Sequence, residues 1–307
     1  MGTTISTPQP LIVQGIPVQP IVQPPVITCM RYEANSMHEC LTISKFYNNE
    51  STISVSLDRK QFQDILKIPG SVIKIDTFMH QKLLHVLAYN GDWLFLYTWV
   101  KGANPIQLNL QVVDFQLRFN NGSLYVIAIT QQFIYILNDQ LKAESYIANM
   151  PNSVNGYCSK HKSVVTWWNN KIHILPEETT ICTYNGRPDA IMCVAFGNDY
   201  VVAVVRQTSV NILWVKNNTT KRSVFDLQYP LIGMSYPERV GRSFTFRIWS
   251  HYAVHQCNVQ DDKADFKDIK FFDADLVACD ANGGIFWSKN NVIKDTLDVV
   301  VYTNLRF

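Results

Sequence analysis

The sequence predicts an all-β chain built from a four-strand unit repeated along most of its length. Three observations carry this. Short runs rich in Val, Ile, Phe, Tyr and Trp recur throughout, separated by turn residues such as Gly197-Asn198-Asp199 and Asn120-Asn121-Gly122. Within a unit the first runs are apolar throughout, as strands buried on both faces are, whereas the fourth alternates like an edge strand. The first runs begin near Ile27, Val72, Val112, Val154, Ile191, Ile232 and Leu276, about 40 residues apart.

Residues 190–227 show the unit most plainly. Ala190-Ile-Met-Cys-Val-Ala-Phe196 is followed by Tyr200-Val-Val-Ala-Val-Val205 and Val210-Asn-Ile-Leu-Trp-Val215, then by the weaker Arg222-Ser-Val-Phe-Asp-Leu227. One such unit cannot bury its own faces and needs neighbours of the same kind. The predicted fold is therefore a seven-bladed β-propeller with four-stranded antiparallel blades over residues 26–307, preceded by an extended arm over residues 1–25. A β-sandwich is the competing fold, and the even spacing argues against it.

The arm carries no charged side chain, and Pro8, Pro10, Pro17, Pro20, Pro24 and Pro25 punctuate it. Such a segment forms neither a helix nor a good ladder strand. Its Ile12, Val13, Ile16, Ile21 and Val22 are too apolar for a solvated tail and are expected to contact a partner surface. Met1-Gly2-Thr3-Thr4-Ile5-Ser6 fits the myristoylation pattern at Gly2, and membrane contact is expected only through that modification.

In the first unit, strands are predicted over 26–33, 40–46 and 51–57. Residues 61–68 place Phe62, Ile65 and Leu66 at helical spacing ahead of Pro69-Gly70 and read as a short helix. The second unit is predicted over 71–110, the third over 112–147, the fourth over 154–184 and the sixth over 231–272. The seventh has short strands from Leu276 onward, with residues 269–272 as an alternative opening. A ring must hold its first and last blades together, so residues 297–302 are expected to share one blade with N-terminal strands.

The pattern resembles the WD-repeat-like seven-bladed propellers over residues 26–307. The likeness is one of architecture, because the sequence contains no Trp-Asp dipeptide and no Gly-His pair. It implies a rigid disc with loops on two faces, a platform for binding other proteins.

Net charge is +2 and the isoelectric point about 8.1, which does not call for nucleic acid. Charged residues make up 17%, against the roughly 25% usual for a soluble domain, which suits burial inside an assembly. The seven cysteines include no CxxC pair, so free thiols, no disulfides and an intracellular setting are expected. No apolar run approaches the roughly 18 residues of a membrane span.

His251, His255 and Cys257 share strand parity and are the sharpest metal-like set. In an extended strand, however, the two histidines lie about 13 Å apart, so no metal is expected. Asp273, Asp275 and Asp280 read as a solvated acidic turn. No G-x-S-x-G elbow and no Gly-rich phosphate loop occurs, so neither an enzyme nor a cofactor is expected. Most of the tryptophans should fill the core, with the adjacent Trp167 and Trp168 facing opposite ways.

Turns after the first and third strands of each unit emerge on one face. That face should carry Lys82, Lys101, Lys160, Lys162, Lys216, Lys221, Arg222, Arg239 and Arg242, with Glu177, Glu178, Asp261 and Asp262 offsetting part of the charge. A basic sector at Lys216, Lys221, Arg222, Arg239 and Arg242 is expected to dock an acidic protein segment. The expected function is a non-enzymatic interaction scaffold or structural subunit of a coat, a viral particle or a cellular particle. The alternative is an adaptor reading a peptide, an anionic lipid or RNA on the basic face; a propeller hydrolase ranks third.

Overall fold

The computed structural model describes residues 24–34, 38–80, 82–100, 102–120, 122–217, 219–281 and 283–303. The expectations for Gly2, for Lys101 and for Ile12, Val13, Ile16, Ile21 and Val22 of the arm lie outside the described residues.

Every regular element among the described residues is a strand. The first sheet contains β1 (Val26–Ala34), β2 (Glu39–Tyr47), β3 (Glu50–Ser56) and β4 (Gln63–Pro69). The second contains β5 (Lys74–His80), β6 (Leu83–Tyr89), β7 (Trp93–Thr98) and β8 (Ile106–Asn109). The third contains β9 (Asp114–Asn120), β10 (Ser123–Ile129), β11 (Phe133–Asn138) and β12 (Ala143–Ala148). Then come β13 (Val154–Cys158), β14 (Val164–Trp168), β15 (Lys171–Leu175) and β16 (Thr179–Thr183). They are followed by β17 (Ala190–Phe196), β18 (Asp199–Arg206), β19 (Ser209–Lys216) and β20 (Thr219–Asp226). The next sheet is built from β21 (Gly233–Met234), β22 (Glu238–Val240), β23 (Ser243–Trp249), β24 (Ala253–Gln260) and β25 (Lys263–Phe271). The last contains β26 (Leu276–Cys279), β27 (Ile285–Lys289), β28 (Val292–Lys294) and β29 (Val300–Thr303).

These strands form six hydrogen-bonded sheets in a propeller-like ring. The sequence predicts separate fourth and fifth blades. Instead β13–β16 and β17–β20 join into one eight-stranded sheet through a short parallel register, Tyr157↔Met192 and Cys158↔Cys193. Gly156 permits the approach: a Cβ there would sit 1.7 Å from Ile191 O. First strands line the inside of the ring, with β1 against β5 and β26, and β5 against β9. Fourth strands form the rim, and β12 and β20 are mostly exposed.

Apolar layers fill the space between consecutive units. Ile53 and Val55 meet Val86 and Ala88; Leu87 and Leu94 meet Leu117 and Val126; Tyr125 and Ile136 meet Val164 and Leu175. Val165 and Ile174 meet Cys193 and Val204, Val194 and Ile212 meet Phe246 and Val259, and Val254 meets Val277 and Trp287. The ring closes where Tyr32 and Ile43 pack on Phe286 and Ile293. Each fully buried side chain of this kind contributes about 1.5–3 kcal/mol.

Two expectations are corrected. Residues 61–68 form no helix; from Gln63 onward they belong to β4. A bulge opposite Ile53 and Ser54 inserts Ile65 into the ladder, which changes the apolar spacing from two to a helix-like three or four. The chain ends also do not share a blade among the described residues: β29 pairs with β28, and β1 with β2. Residues 26–69 already complete four strands, so no place is left for a C-terminal one. The seam is held by side chains. Tyr32 and Phe286 rings lie 4.7 Å apart, Phe62 and Tyr302 5.2 Å, and the Ile27 and Ala34 amides donate to Asn291 Oδ1 and Asp280 Oδ2, both at 2.9 Å.

Candidate functional site

The first strands run toward the face bearing the turns after first and third strands, here the upper face. Their ladder positions should be apolar, yet β1, β5 and β9 each carry an inward charge: Arg31, Asp76 and Arg118. Asp76 is 3% exposed. Its Oδ1 lies 3.2 Å from Arg31 Nε, and its Oδ2 accepts from Leu117 N at 2.7 Å and from the Tyr236 hydroxyl at 2.6 Å. Tyr236 reaches the channel because the inner strand of its sheet breaks between β21 and β22, where Pro237 has no N–H to offer a ladder. Burial, followed by the Asp76 charge, raises the Tyr236 phenol well above its ordinary range. The Arg31 guanidinium lies 4.8 Å from the Tyr236 ring centroid, and that of Arg118 lies 4.1 Å from Tyr157. Arg118 also donates to Cys158 O and to Gln116 Oε1.

Above this network the channel opens into a cavity of about 490 Å³ on the upper face. Glu33, Asp280 and Glu238 border it together with Met79, Phe119 and Pro237. Glu33 Oε1 accepts from Met79 N at 3.1 Å, while Oε2 is buried without a hydrogen-bond partner. Burial pushes the Glu33 carboxyl up to about 7; the charges of Asp76 and Asp280 push the same way, against the Met79 amide and Arg31. On the lower face, a second and larger cavity of about 860 Å³ is lined by polar turns, including Asn149, Asn155, Arg187 and Asp189.

The expected basic sector has a different make-up. Lys216, Lys221 and Arg242 do line one upper-face cleft of about 470 Å³, with Phe196, Tyr200 and Trp214. Asp199, Asp261 and Asp262 line the same cleft, three carboxylates to three cations. Lys221 Nζ lies 2.8 Å from Asp262 Oδ2, and Arg242 4.0 Å from Asp199. Arg239 stacks over Phe196 at 4.5 Å and donates to Ala195 O. Arg222, of opposite strand parity to Lys221, turns away to Asn211 Oδ1 at 2.8 Å. Farther round, Lys160 pairs with Glu177 at 2.7 Å and Lys162 with Glu144. Exposed pairs like these contribute about 0–1 kcal/mol each but cancel the long-range field.

His251, His255 and Cys257 do not converge. His251 precedes β24 and bonds Ala274 O through Nδ1 at 3.0 Å; His255 Nδ1 lies 2.7 Å from Asp268 Oδ1; Cys257 is buried in the core. No cluster of three or more His, Cys, Asp or Glu able to hold a metal occurs among the described residues. Asp273 and Asp275 pair with Lys289 at 3.0 and 3.3 Å, apart from Asp280 at the channel mouth. Trp167 is 8% exposed and donates to Tyr184 O, whereas Trp168 is 36% exposed, as their parity requires.

The channel network was missed from the sequence. Its signal was present as a charge inside three first strands in a row, Met30-Arg31-Tyr32, Ile75-Asp76-Thr77 and Leu117-Arg118-Phe119. A charge in an otherwise apolar inner strand needs a buried partner.

No family model and no curated protein matches the chain. Among solved structures, the crystal structure of Kluyvelomyces marxianus Hsv2 is similar to it with a TM-score of 0.54 and 14% identity, covering 89% of this chain and 92% of that one. At that identity the likeness concerns the fold alone, and the fold is a β-propeller.

Proposed function

We propose that this chain is a non-enzymatic interaction scaffold, a subunit of a larger assembly, that holds partner proteins on its upper face. The observation that carries the reading is the pair of concave sites on that one face, the channel mouth and the cleft lined by Trp214. Both are backed by sheets, so a partner meets a preformed surface and loses little ordering entropy in the protein. We count seven blades, treating the eight-stranded sheet as two, because only the short β13–β17 register joins its halves. The mixed charge of the cleft leaves a net basic attraction small, so the mouth is the main contact and Lys216, Lys221, Arg239 and Arg242 a secondary one. An intracellular setting belongs to the proposal; seven free thiols, six of them buried, support it.

Photo-crosslinking in the native source tests this. A crosslinker at Lys82 or Lys216 should yield discrete protein adducts, and one at Asp92 or Gln207 on the lower face should not. Adducts confined to the lower-face positions would overturn the reading.

A further inference from the structure

The lower face holds apolar side chains that the fold leaves uncovered. Val26 opens β1, and Ile73, Val113 and Ile232 immediately precede β5, β9 and β21; all four are exposed. The amides of the last three donate to Tyr89 O, Ile129 O and Trp249 O, which is the same place in each unit. They form an inner ring of aliphatic tips around the channel. Farther out, Tyr47, Trp93, Trp168 and Tyr252 stand at the turns joining second to third strands, and Phe271 ends β25. These are five of the six exposed aromatic side chains among the described residues; the sixth, Tyr146, is on the rim.

The same face is poor in charge. Apart from Tyr252, the turns joining second to third strands consist of Asn, Gln, Ser, Thr and Gly, with Asp92 and His251 their only acidic or basic side chains. Asp189 and Asp275 replace the aliphatic tip in the fifth and seventh units, and both are engaged, Asp189 by Gln207 N and Asp275 by Asn290 N and Lys289. The turns of the upper face carry Lys82, Lys160, Lys162 and Arg242 instead.

We infer that the lower face rests on a zwitterionic lipid surface, its aromatic and aliphatic tips seated among the headgroups and the first acyl carbons. This goes beyond the scaffold reading, which concerns the upper face. Burial of the tips supplies the attraction, and the amide and hydroxyl turns between them hydrogen-bond lipid carbonyls and phosphates. A protein partner fits less well. Its interface would gather apolar side chains into one desolvated core, whereas here polar turns separate them and the polar cavity of about 860 Å³ interrupts the surface. Lipids conform to such a surface. Without Lys or Arg on these turns, nothing calls for anionic lipid. β1 also begins on this face, so an acyl chain at Gly2 would be tethered to the same side. One acyl chain alone holds a membrane only marginally, and the face would add the second contact.

The test uses the full chain, made without acylation, in flotation with phosphatidylcholine vesicles. The protein should float with them equally at low and high salt, and added phosphatidylserine should not raise the bound fraction. Trp93→Ser, Trp168→Ser, Tyr252→Ser and Phe271→Ser together should weaken binding at least about tenfold. Melting temperature should stay nearly unchanged, because all four side chains are exposed. Leu83→Ser with Val240→Ser, both exposed on the upper face, should leave binding as it is. Trp93→Phe with Trp168→Phe should keep most of the binding but reduce the quenching of tryptophan fluorescence by brominated phosphatidylcholine. No flotation with phosphatidylcholine, flotation only with phosphatidylserine, or a quadruple variant that floats like wild type would overturn the inference. Self-association that the quadruple variant loses, in place of flotation, would give the face to a second copy and overturn it as well. None of these outcomes depends on crosslinks from Lys82 or Lys216, so the scaffold reading stands or falls separately.

Discussion

Asp76→Asn is the sharpest probe of the channel network. The substitution keeps the shape and one carbonyl oxygen, but it removes the charge facing Arg31 and sets an amide N–H₂ either against Leu117 N–H and the Tyr236 hydroxyl together, in place of Oδ2, or against Arg31 Nε and Thr77 N–H, in place of Oδ1. Asp76 is 3% exposed and the Arg31 side chain 17%, so neither can turn to bulk water without moving a strand. Leaving one member of a buried pair uncompensated costs about 3–5 kcal/mol; the partial exposure of Arg31 argues for the lower end, about 3 kcal/mol. For a chain of this length that is a fall of about 5 °C in melting temperature. Arg31→Met alone should cost less, because Asp76 keeps three donors, the Thr77 and Leu117 amides and the Tyr236 hydroxyl. The double variant should be less damaged than the sum of the singles by about 1–2 kcal/mol. Urea and thermal melts of the four proteins measure this. An Asp76→Asn protein melting within about 1 °C of wild type, or a strictly additive cycle, would refute the reasoning.

Gly156→Ala puts a methyl where Ile191 O lies at 1.7 Å, so β13 and β17 must part; a loss of at least about 2 kcal/mol is expected in urea melts. Phe286→Ala empties the seam opposite Tyr32 and should cost about 3–5 kcal/mol by the same measurement. The folded Glu33 carboxyl, at about 7 against an ordinary 4.5, holds its proton more tightly than the unfolded one. Stability should therefore fall as pH rises from about 4.5 through 7 and then level off, by roughly 3 kcal/mol at most, and Glu33→Gln should flatten that slope in melts across pH. Charge reversal at Lys216, Lys221, Arg239 and Arg242 should weaken partner binding in a salt-dependent way without abolishing it, because Asp199, Asp261 and Asp262 share the cleft; complete loss at unchanged melting temperature would make the cleft the main contact.

The ladder was legible because burial writes itself into apolar runs. The first-strand starts near Ile27, Val154, Ile191 and Leu276 fall within a residue of β1, β13, β17 and β26. β4 was not legible, because one bulged residue converts a strand period into a helical one. The join of β13 to β17 depends on a missing side chain at Gly156, which a propensity reading scores only as a weak strand former. The candidate site was half visible. Turn positions put Lys216, Lys221 and Arg242 together, since loop order fixes the face. Counting cations by turn did not reveal Asp199 at the foot of β18 or Glu144 at the start of β12, whose pairing depends on which turns are neighbours across blades. The channel network joins Arg31, Asp76, Leu117 and Tyr236, residues up to 205 positions apart, and only ring closure brings them into contact.

The seam between β26–β29 and β1–β4 is crossed by side chains and not by a strand, so every described sheet is cut from one uninterrupted stretch of chain. Modularity follows. A unit can be duplicated, deleted or exchanged as one segment without leaving a strand stranded in another sheet. The start of β1 and the end of β29 both lie on the lower face, a distance on the order of 20 Å that about six extended residues would bridge. The chain can therefore be circularly permuted, with new ends opened in an exposed turn such as Asp261–Lys263, and the ring would close through the same apolar contacts in a different order of synthesis.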